Sequence, residues 1–158
     1  MGKAIFITGT GTDVGKTYVT GLLVKKIRDA GLDGSYYKAA LSGAEPDENG
    51  NLVPGDAAWV KETAGLPDPL EDLVTYVYRE AVSPHLAARI NHHSVDLEQI
   101  RQAFQKAKGR HQYLTMEGSG GILCPLGWEK DHHLLLEDMI RALDLGCLLV
   151  ADAGLGTI

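Results

Sequence analysis

The sequence predicts an α/β fold, a doubly wound and mostly parallel sheet with helices on both faces. Strand-like apolar runs alternate with amphipathic helical segments along the chain. A glycine-rich loop at residues 9–17 joins the first apolar strand to the first amphipathic helix. Residues 147–151 are all apolar, which is typical of a strand in the middle of a parallel sheet.

Length, charge and cysteine content limit the classes of function. A chain of 158 residues with 44% hydrophobic residues fits a single domain with one core. Its net charge of −6 argues against nucleic acid and acidic membranes as partners and favours a small ligand. Cys124 and Cys147 each lie beside apolar residues, so we expect buried, reduced thiols. Without a signal peptide or an apolar stretch of about 18 residues, the sequence predicts a cytoplasmic protein.

Residues 9–17 have the composition of a phosphate-binding loop. Glycines allow backbone N–H groups to turn toward phosphate oxygens, and the helix dipole adds about +0.5 charge there. Lys16 supplies a full positive charge, and Thr17 offers a hydroxyl to a magnesium ion. The usual motif has four residues between its first glycine and the Gly-Lys pair. Gly9 leaves five, so this loop is a variant that is one residue longer.

Two other interpretations of this loop are weaker. A dinucleotide-binding loop requires a third glycine where Val14 stands. A glycine-rich turn that binds nothing would leave Lys16 and Thr17 at the start of a helix without explanation. Phosphate binding is therefore the predicted role.

The first helix is predicted to run to about Ala30. Leu22, Leu23 and Ile27 would form its buried face, and Gly31 would end it. The polar residues between them would then face solvent.

Residues 35–40 are predicted to form a short strand with Lys38 at its carboxyl end. Ligands of open α/β sheets gather at that edge. Lys38 and Ser42 can therefore face the same crevice as the phosphate loop, although an ordinary solvated lysine is the alternative for Lys38.

Residues 44–54 are predicted to form a loop, followed by a helix over residues 55–65. Asp56 is well placed as the N-cap of this helix, and Gly65 as its end. Capping alone would account for Asp56.

A strand and two helices are predicted to follow. Residues 73–78 have strand character, and a helix begins with Ser83 at the cap and Pro84 in the first turn. Asp96 opens the next helix with a capping-box pattern. Its apolar stripe consists of Leu97, Ile100, Ala103, Phe104 and Ala107.

The last predicted elements include a strand over residues 112–117, an extended piece at 122–126 and a helix at 134–143. In phosphate-loop enzymes an acid at the end of such a strand can hold magnesium, so Glu117 is the candidate. Small residues follow it and would let the backbone approach a nucleotide, although a tight turn would use them equally well. They are Gly118, Ser119 and Gly120.

The pairs His92-His93 and His132-His133 suggest a zinc site only superficially. Adjacent residues of a helix point about 100° apart. No cysteine or third histidine accompanies either pair at ligand spacing, so zinc is not predicted.

Taken together, these segments resemble the dethiobiotin synthetase family, whose members belong to the P-loop NTPase superfamily. The phosphate loop alone would also fit partitioning ATPases, nitrogenase-reductase-like proteins and cobyrinate-amidase-type ligases. Five matches in family order make the resemblance specific. They are Thr8-Gly9-Thr10 with residues 13–17, Tyr37-Lys38 with Ser42-Gly43, Asp56, Ser83-Pro84-His85, and residues 117–121.

The resemblance implies an ATP-dependent ligase that closes a cyclic urea on 7,8-diaminopelargonic acid with CO2 or bicarbonate. Lys38 would be catalytic, and Thr12 and Ser42 would lie on the substrate side. Thr17, Asp56 and Glu117 would surround magnesium. ATP would be held by Asp13, Val14, Gly15, Lys16, Thr17, Tyr18, Asp56, Glu117, Gly118, Ser119 and Gly120.

The resemblance also implies a homodimer in which the second subunit contributes to the substrate site, around a helix that starts near His133. The family continues beyond residue 158 through stretches that recognise adenine. Residues 1–158 are therefore expected to form a single P-loop ATP-binding domain without that C-terminal part. Ala39, where the family usually has proline, and Thr115, where its strand is more apolar, depart from the pattern.

Two other functions remain open from the sequence. A partitioning or metal-insertion type ATPase would act as a nucleotide switch, but it would not need Lys38 or Ser42 at the edge of the second strand. A non-catalytic remnant would bind no nucleotide, and the presence of Lys16 and Glu117 argues against it.

Overall fold

The computed structural model describes residues 2–130 and 132–154, with the side chain of residue 132 excluded. In chain order the elements are β1 (Lys3–Gly9), α1 (Lys16–Asp29), β2 (Gly34–Ser42), β3 (Glu45–Pro46), β4 (Leu52–Val53), α2 (Gly55–Ala64), α3 (Leu70–Leu73), β5 (Val74–Tyr78), α4 (Pro84–Ile90), α5 (Leu97–Arg110), β6 (Tyr113–Glu117), β7 (Pro125–Glu129), β8 (His132–Leu135), α6 (Leu136–Ala142) and β9 (Gly146–Val150).

Five strands form a parallel central sheet in the order β5-β2-β6-β1-β9. Helices cover both of its faces, and neighbouring residues of β2 belong to different cores because side chains alternate along a strand. Tyr36 packs in the core that contains Val24 of α1, whereas Tyr37 packs in the core that contains Phe104 of α5. The predicted α/β fold is confirmed. None of the described helices combines the length and the apolar character that a membrane crossing requires.

The helix α1 has nearly the predicted bounds but a different buried face. Thr20, Gly21 and Val24 are buried, whereas Leu22 is 43% exposed. The cause is the close packing of α1 on α2. Gly21 lies so near Trp59 of α2 that a methyl group on Gly21 would overlap the indole ring. The partner helix, rather than the position of the largest apolar side chains, determines the rotation of α1.

The segment predicted as a loop at residues 44–54 contains a small antiparallel hairpin of β3 and β4. The carboxylate of Asp47 organises its turn. Asp47 Oδ1 accepts hydrogen bonds from the backbone N–H groups of Asn49 and Asn51, at 2.9 and 2.8 Å. These side-chain bonds to local backbone replace ladder bonds that a two-residue strand cannot make.

The helix α2 follows the prediction in its extent and in Gly65 after its last residue. The predicted capping role of Asp56 is wrong, because Pro54 holds the cap position and Asp56 lies within the first turn. The carboxylate of Asp56 points instead to Lys38. A tertiary partner has replaced the local one.

The helix α5 closely follows the pattern in the sequence. Asp96 caps it by accepting a hydrogen bond from the backbone N–H of Glu98, and Ile100 and Phe104 are fully buried. Gln99 does not complete a capping box, because its side-chain oxygen accepts from the hydroxyl of Tyr76.

The predicted helix at residues 134–143 begins later, at Leu136, because β8 pairs with β7 in an antiparallel hairpin. The rings of Trp128 and His133 stack across this hairpin with centroids 4.0 Å apart. Such cross-strand pairs stabilise the extended conformation. The predicted start of a helix near His133 is therefore wrong.

The strand β9 is not central in the described sheet. It pairs only with β1 among the described residues, and Leu149 is 60% exposed. Cys147, predicted to be buried, is exposed, while Cys124 is half-buried.

Candidate active site

The carboxyl ends of three strands meet at one cleft of about 1030 Å³. The phosphate loop follows β1, Ser42 ends β2, and Glu117 ends β6. This convergence follows from the strand order, because β6 lies between β1 and β2. Ligands of open parallel sheets bind at such an edge.

The phosphate loop ends in an uncapped helix terminus. Gly15 adopts φ 94°, a left-handed conformation that glycine tolerates best, and directly precedes α1. No side chain in the described part of the chain caps this helix, so its first N–H groups remain available to a ligand.

The side chain of Lys16 is 7% exposed and folds back over its own loop. Its Nζ donates a hydrogen bond to Gly11 O at 2.5 Å. Burial and the nearby ammonium of Lys38 lower the pKa of Lys16 below its ordinary value. An anion in the loop would offer this ammonium a better acceptor than the Gly11 carbonyl.

Lys38 lies between two carboxylates at the floor of the cleft. Its Nζ donates to Asp56 Oδ2 at 2.5 Å and to Glu117 Oε1 at 2.8 Å. Thr17 Oγ1 also donates to Glu117 Oε1, at 2.8 Å. These contacts bring together residues that are 18 to 100 positions apart in the chain.

Two expectations about Lys38 change with this geometry. Lys38 does not end its strand, because β2 continues to Ser42. It is also only 4% exposed, so it is not a solvated surface lysine. Its position is fixed by parallel pairing, in which Lys38 lies directly opposite Glu117 of β6.

The ammonium of Lys38 is stable in this buried position because of its partners. Burial lowers the pKa of Lys38, but Glu117 and Asp56 raise it more, so the pKa stands above its ordinary value. Lys38 is therefore charged at neutral pH. A buried charge of this kind is tolerated only when it is paired and hydrogen-bonded.

The chain is similar in sequence to a family of known proteins. Residues 3–158 match a family model described as an AAA domain. Over all 158 residues the chain is 49% identical to the ATP-dependent dethiobiotin synthetase BioD of Clostridium botulinum (strain 657 / Type Ba4). It is 48% identical to the protein of the same name from Brachyspira hyodysenteriae (strain ATCC 49526 / WA1), and it covers 69% of each relative.

The chain belongs to the dethiobiotin synthetase family. The resemblance inferred from the five motifs is thereby confirmed.

Most of the site residues predicted for this member of the dethiobiotin synthetase family line the cleft. Val14 is not among the lining residues, and its side chain covers Gly9 instead. The hydroxyl of Ser119 donates to Ala40 O at 2.5 Å and attaches the loop after β6 to β2. The predicted residues that line the cleft are Thr12, Asp13, Gly15, Lys16, Thr17, Tyr18, Lys38, Ser42, Asp56, Glu117, Gly118, Ser119 and Gly120.

The sequence did not identify every residue of the site. Trp59 and Cys124 also line the cleft, and the hydroxyl of the buried Tyr36 donates to Glu117 Oε2 at 3.1 Å. Burial, and then the Glu117 carboxylate, raise the pKa of Tyr36 well above its ordinary value, so the hydroxyl stays protonated. Strand periodicity could have identified Tyr36, because it shares a face of β2 with Lys38.

The oxygens of Thr17, Asp56 and Glu117 fit a magnesium ion in their chemistry, because magnesium prefers oxygen ligands and keeps several waters. All three residues line the cleft, and Lys38 bridges the two carboxylates. The described part of the chain contains no group of three or more His, Cys, Asp or Glu side chains that could enclose a metal. A magnesium ion here would draw its other ligands from water and phosphate oxygens.

Gly118 is required by the close packing behind the cleft. A methyl group at this position would lie 2.9 Å from both Leu136 Cδ2 and Phe6 Cζ, which are buried. We therefore expect Gly118→Ala to reduce the free energy of unfolding by about 1–3 kcal/mol, measured by urea denaturation. In Gly109→Ala the added methyl group meets no atom within 4 Å, and Gly109 is exposed near the end of α5. The free energy of unfolding of this control should be unchanged or rise by up to about 1 kcal/mol. Equal free energies of unfolding for the two variants would contradict the packing argument.

Proposed function

We propose that this protein is an ATP-dependent dethiobiotin synthetase, a ligase of biotin biosynthesis. Its substrates would be 7,8-diaminopelargonic acid, CO2 or bicarbonate, and ATP. The observation that carries this proposal is the buried, charged Lys38 beside the phosphate loop, held by Asp56 and Glu117. A nucleotide switch transfers a phosphoryl group but has no carbamate, whereas the proposed reaction places a carbamate beside the γ-phosphate, and a second buried cation can neutralise both anions.

In the proposed reaction, one amine of the substrate adds to CO2 and loses a proton to give a carbamate. A carbamate oxygen attacks the γ-phosphorus of ATP and ADP leaves, which forms a mixed carbamic-phosphoric anhydride. The second amine then attacks the carbonyl carbon, phosphate leaves and the attacking nitrogen loses a proton, which closes the cyclic urea. Negative charge develops on the carbamate oxygens in the first step and on the departing ADP and phosphate oxygens in the later steps, so positioning and charge neutralisation are the main contributions of the protein.

The residues of the chain divide these tasks. The loop N–H groups and Lys16 would bind the phosphates, because they present donors and positive charge at the start of α1. Lys38 would stabilise the carbamate and the transferring phosphoryl group. Thr12 and Ser42, which line the same cleft, would contact the diamine.

Thr17, Asp56 and Glu117 would hold magnesium, which neutralises charge on the phosphate oxygens when it is bound. We propose that residues 1–158 form one domain that provides the phosphate, metal and amine sites.

We also propose a cytoplasmic homodimer. Cys124 and Cys147 are free thiols, as is usual in reducing compartments. Leu123 and Trp128, 64% and 50% exposed, provide apolar surface that a second subunit could cover.

The function is tested by measuring ADP release with ATP, magnesium and bicarbonate, with and without 7,8-diaminopelargonic acid. Dethiobiotin is followed by mass spectrometry in the same samples. We expect ADP release to depend on the diamine and to match dethiobiotin one to one. Chelation of magnesium should stop both products, since the phosphate oxygens then lack their metal.

Two other outcomes would contradict the proposal. ADP release at the same rate without the diamine would favour a switch ATPase. A protein with no magnesium-dependent affinity for ATP would be a non-catalytic module that retains the fold.

A further inference from the structure

We propose that Tyr36 is a positioning residue that fixes the orientation of the Glu117 carboxylate for metal binding. This inference rests on the proposed role of Glu117 as a magnesium ligand. Tyr36 itself lies beneath the cleft and is fully buried, and it is not among the cleft-lining residues.

Strand geometry explains why Tyr36 reaches Glu117. Tyr36 and Lys38 are two positions apart on β2, so their side chains leave the same face of the sheet. Glu117 lies opposite Lys38 on the neighbouring strand β6. The carboxylate of Glu117 is therefore contacted by both residues of β2 at once.

The two oxygens of this carboxylate have different partners. Oε1 accepts hydrogen bonds from Thr17 at 2.8 Å and from Lys38 at 2.8 Å. Oε2 accepts one from the hydroxyl of Tyr36 at 3.1 Å, and no other described side chain donates to it. Tyr36 thus holds Oε2 away from the cleft while Oε1 faces Thr17 and Lys38.

Loss of this hydroxyl would leave Oε2 buried without a donor, because Glu117 is only 1% exposed. The carboxylate could regain a donor by rotating toward Lys38, and Oε1 would then leave its position beside Thr17. Partners that orient a metal ligand typically change metal affinity or activity by about 10- to 100-fold when they are removed.

The experiment measures binding of the β,γ-imido analogue of ATP by calorimetry at a series of magnesium concentrations. Magnesium should increase the affinity of the protein for the analogue. The magnesium concentration at which half of this increase is reached should be about 10-fold higher for Tyr36→Phe than for the wild type. Binding without magnesium should be unchanged, because the hydroxyl that this variant lacks donates its hydrogen bond to Glu117. If Tyr36 only stabilised the fold, its replacement would not change the magnesium dependence while leaving the affinity without magnesium unchanged.

Tyr37→Phe is the matched control. Tyr37 is the next residue of β2, is 1% exposed and shares a hydrogen bond of 2.6 Å with Thr75 Oγ1. Its side chain lies on the opposite face of the sheet, so the magnesium dependence should equal that of the wild type. Thermal unfolding of both variants reports how much stability each lost hydroxyl costs.

A second pair of variants tests the same idea where Tyr36→Phe alone is too unstable to measure. Glu117→Ala removes the carboxylate that accepts the hydrogen bond of Tyr36. Adding Tyr36→Phe to this variant therefore does not leave a buried carboxylate oxygen without a donor. We expect the single and the double variant to have the same magnesium dependence, since Tyr36 then has nothing to orient. A further shift in the double variant would overturn the proposal.

The outcomes separate this inference from the proposed function. Wild-type protein whose affinity for the analogue does not depend on magnesium would refute the metal site itself. A normal dependence in the wild type, with Tyr36→Phe within about twofold of it, would refute only the positioning role. An equal shift in Tyr36→Phe and Tyr37→Phe would also refute it, because a general loss of rigidity would then explain both.

Discussion

Replacement of Lys38 with alanine is expected to reduce kcat by about 100- to 1000-fold, or about 2.7–4 kcal/mol of transition-state stabilisation. Lys38 is a buried cation at the floor of the cleft, and charge develops on the carbamate and phosphoryl oxygens during the proposed reaction. ATP binding should be nearly unchanged, because the phosphates are held by the loop and by Lys16. Steady-state ADP release gives kcat, and calorimetry with the ATP analogue gives the affinity.

The same substitution has a second effect that the assay must exclude. Lys38 neutralises Asp56 and Glu117, and removal of one partner from a buried ion pair typically destabilises a protein by about 3–5 kcal/mol. Activity should therefore be measured at saturating magnesium and below the unfolding temperature of the variant. Lys106→Ala, which removes an exposed partner of Asp72, is the control and should retain full activity. A folded Lys38→Ala protein with a near-normal rate would remove Lys38 from the chemistry.

Replacement of Lys16 with alanine is expected to weaken nucleotide binding by about 10- to 150-fold, the loss of one charge-assisted contact of about 1.5–3 kcal/mol. Turnover should fall with it, because the phosphates lose their nearest cation. This result differs in kind from that of Lys38→Ala, in which binding and turnover separate. Calorimetric titration with the ATP analogue measures the affinity directly.

Lys25→Ala is the control for this experiment. Lys25 lies on the same helix α1, but it is exposed, and its ion-pair partner among the described residues is Asp29, four residues later. Exposed pairs of this kind contribute little, so affinity and stability should change by less than about 0.5 kcal/mol. Wild-type affinity in Lys16→Ala would place the phosphates elsewhere.

Local patterns in the sequence were sufficient for several parts of the fold. The strand β1, the glycine-rich loop and α1 follow one another within 29 residues, and each has its own signal. The cap and the apolar stripe of α5 could likewise be predicted from the sequence, because both depend on residue spacing within one helix. The carboxyl end of β6 at Glu117 was predicted because an acid there directly follows an apolar strand.

The failures concern residues whose surroundings come from distant segments. Asp56 has the chemistry of a helix cap, yet the ammonium of Lys38 binds it, since a buried cation is a stronger partner than a backbone N–H. Leu22 has the chemistry of a core residue, yet Gly21 is what α2 packs against.

The sequence by itself determined the α/β class, the phosphate loop and the family. Each of these resides in contiguous residues whose spacing carries the signal. Only the tertiary structure decided that Lys38 bridges Asp56 and Glu117 and that Tyr36 holds the far oxygen of that carboxylate. The contacts to Glu117 depend on the parallel register between β2 and β6, which are separated by about 70 residues of chain. Hydrogen bonds across such a separation leave no periodic pattern in the sequence.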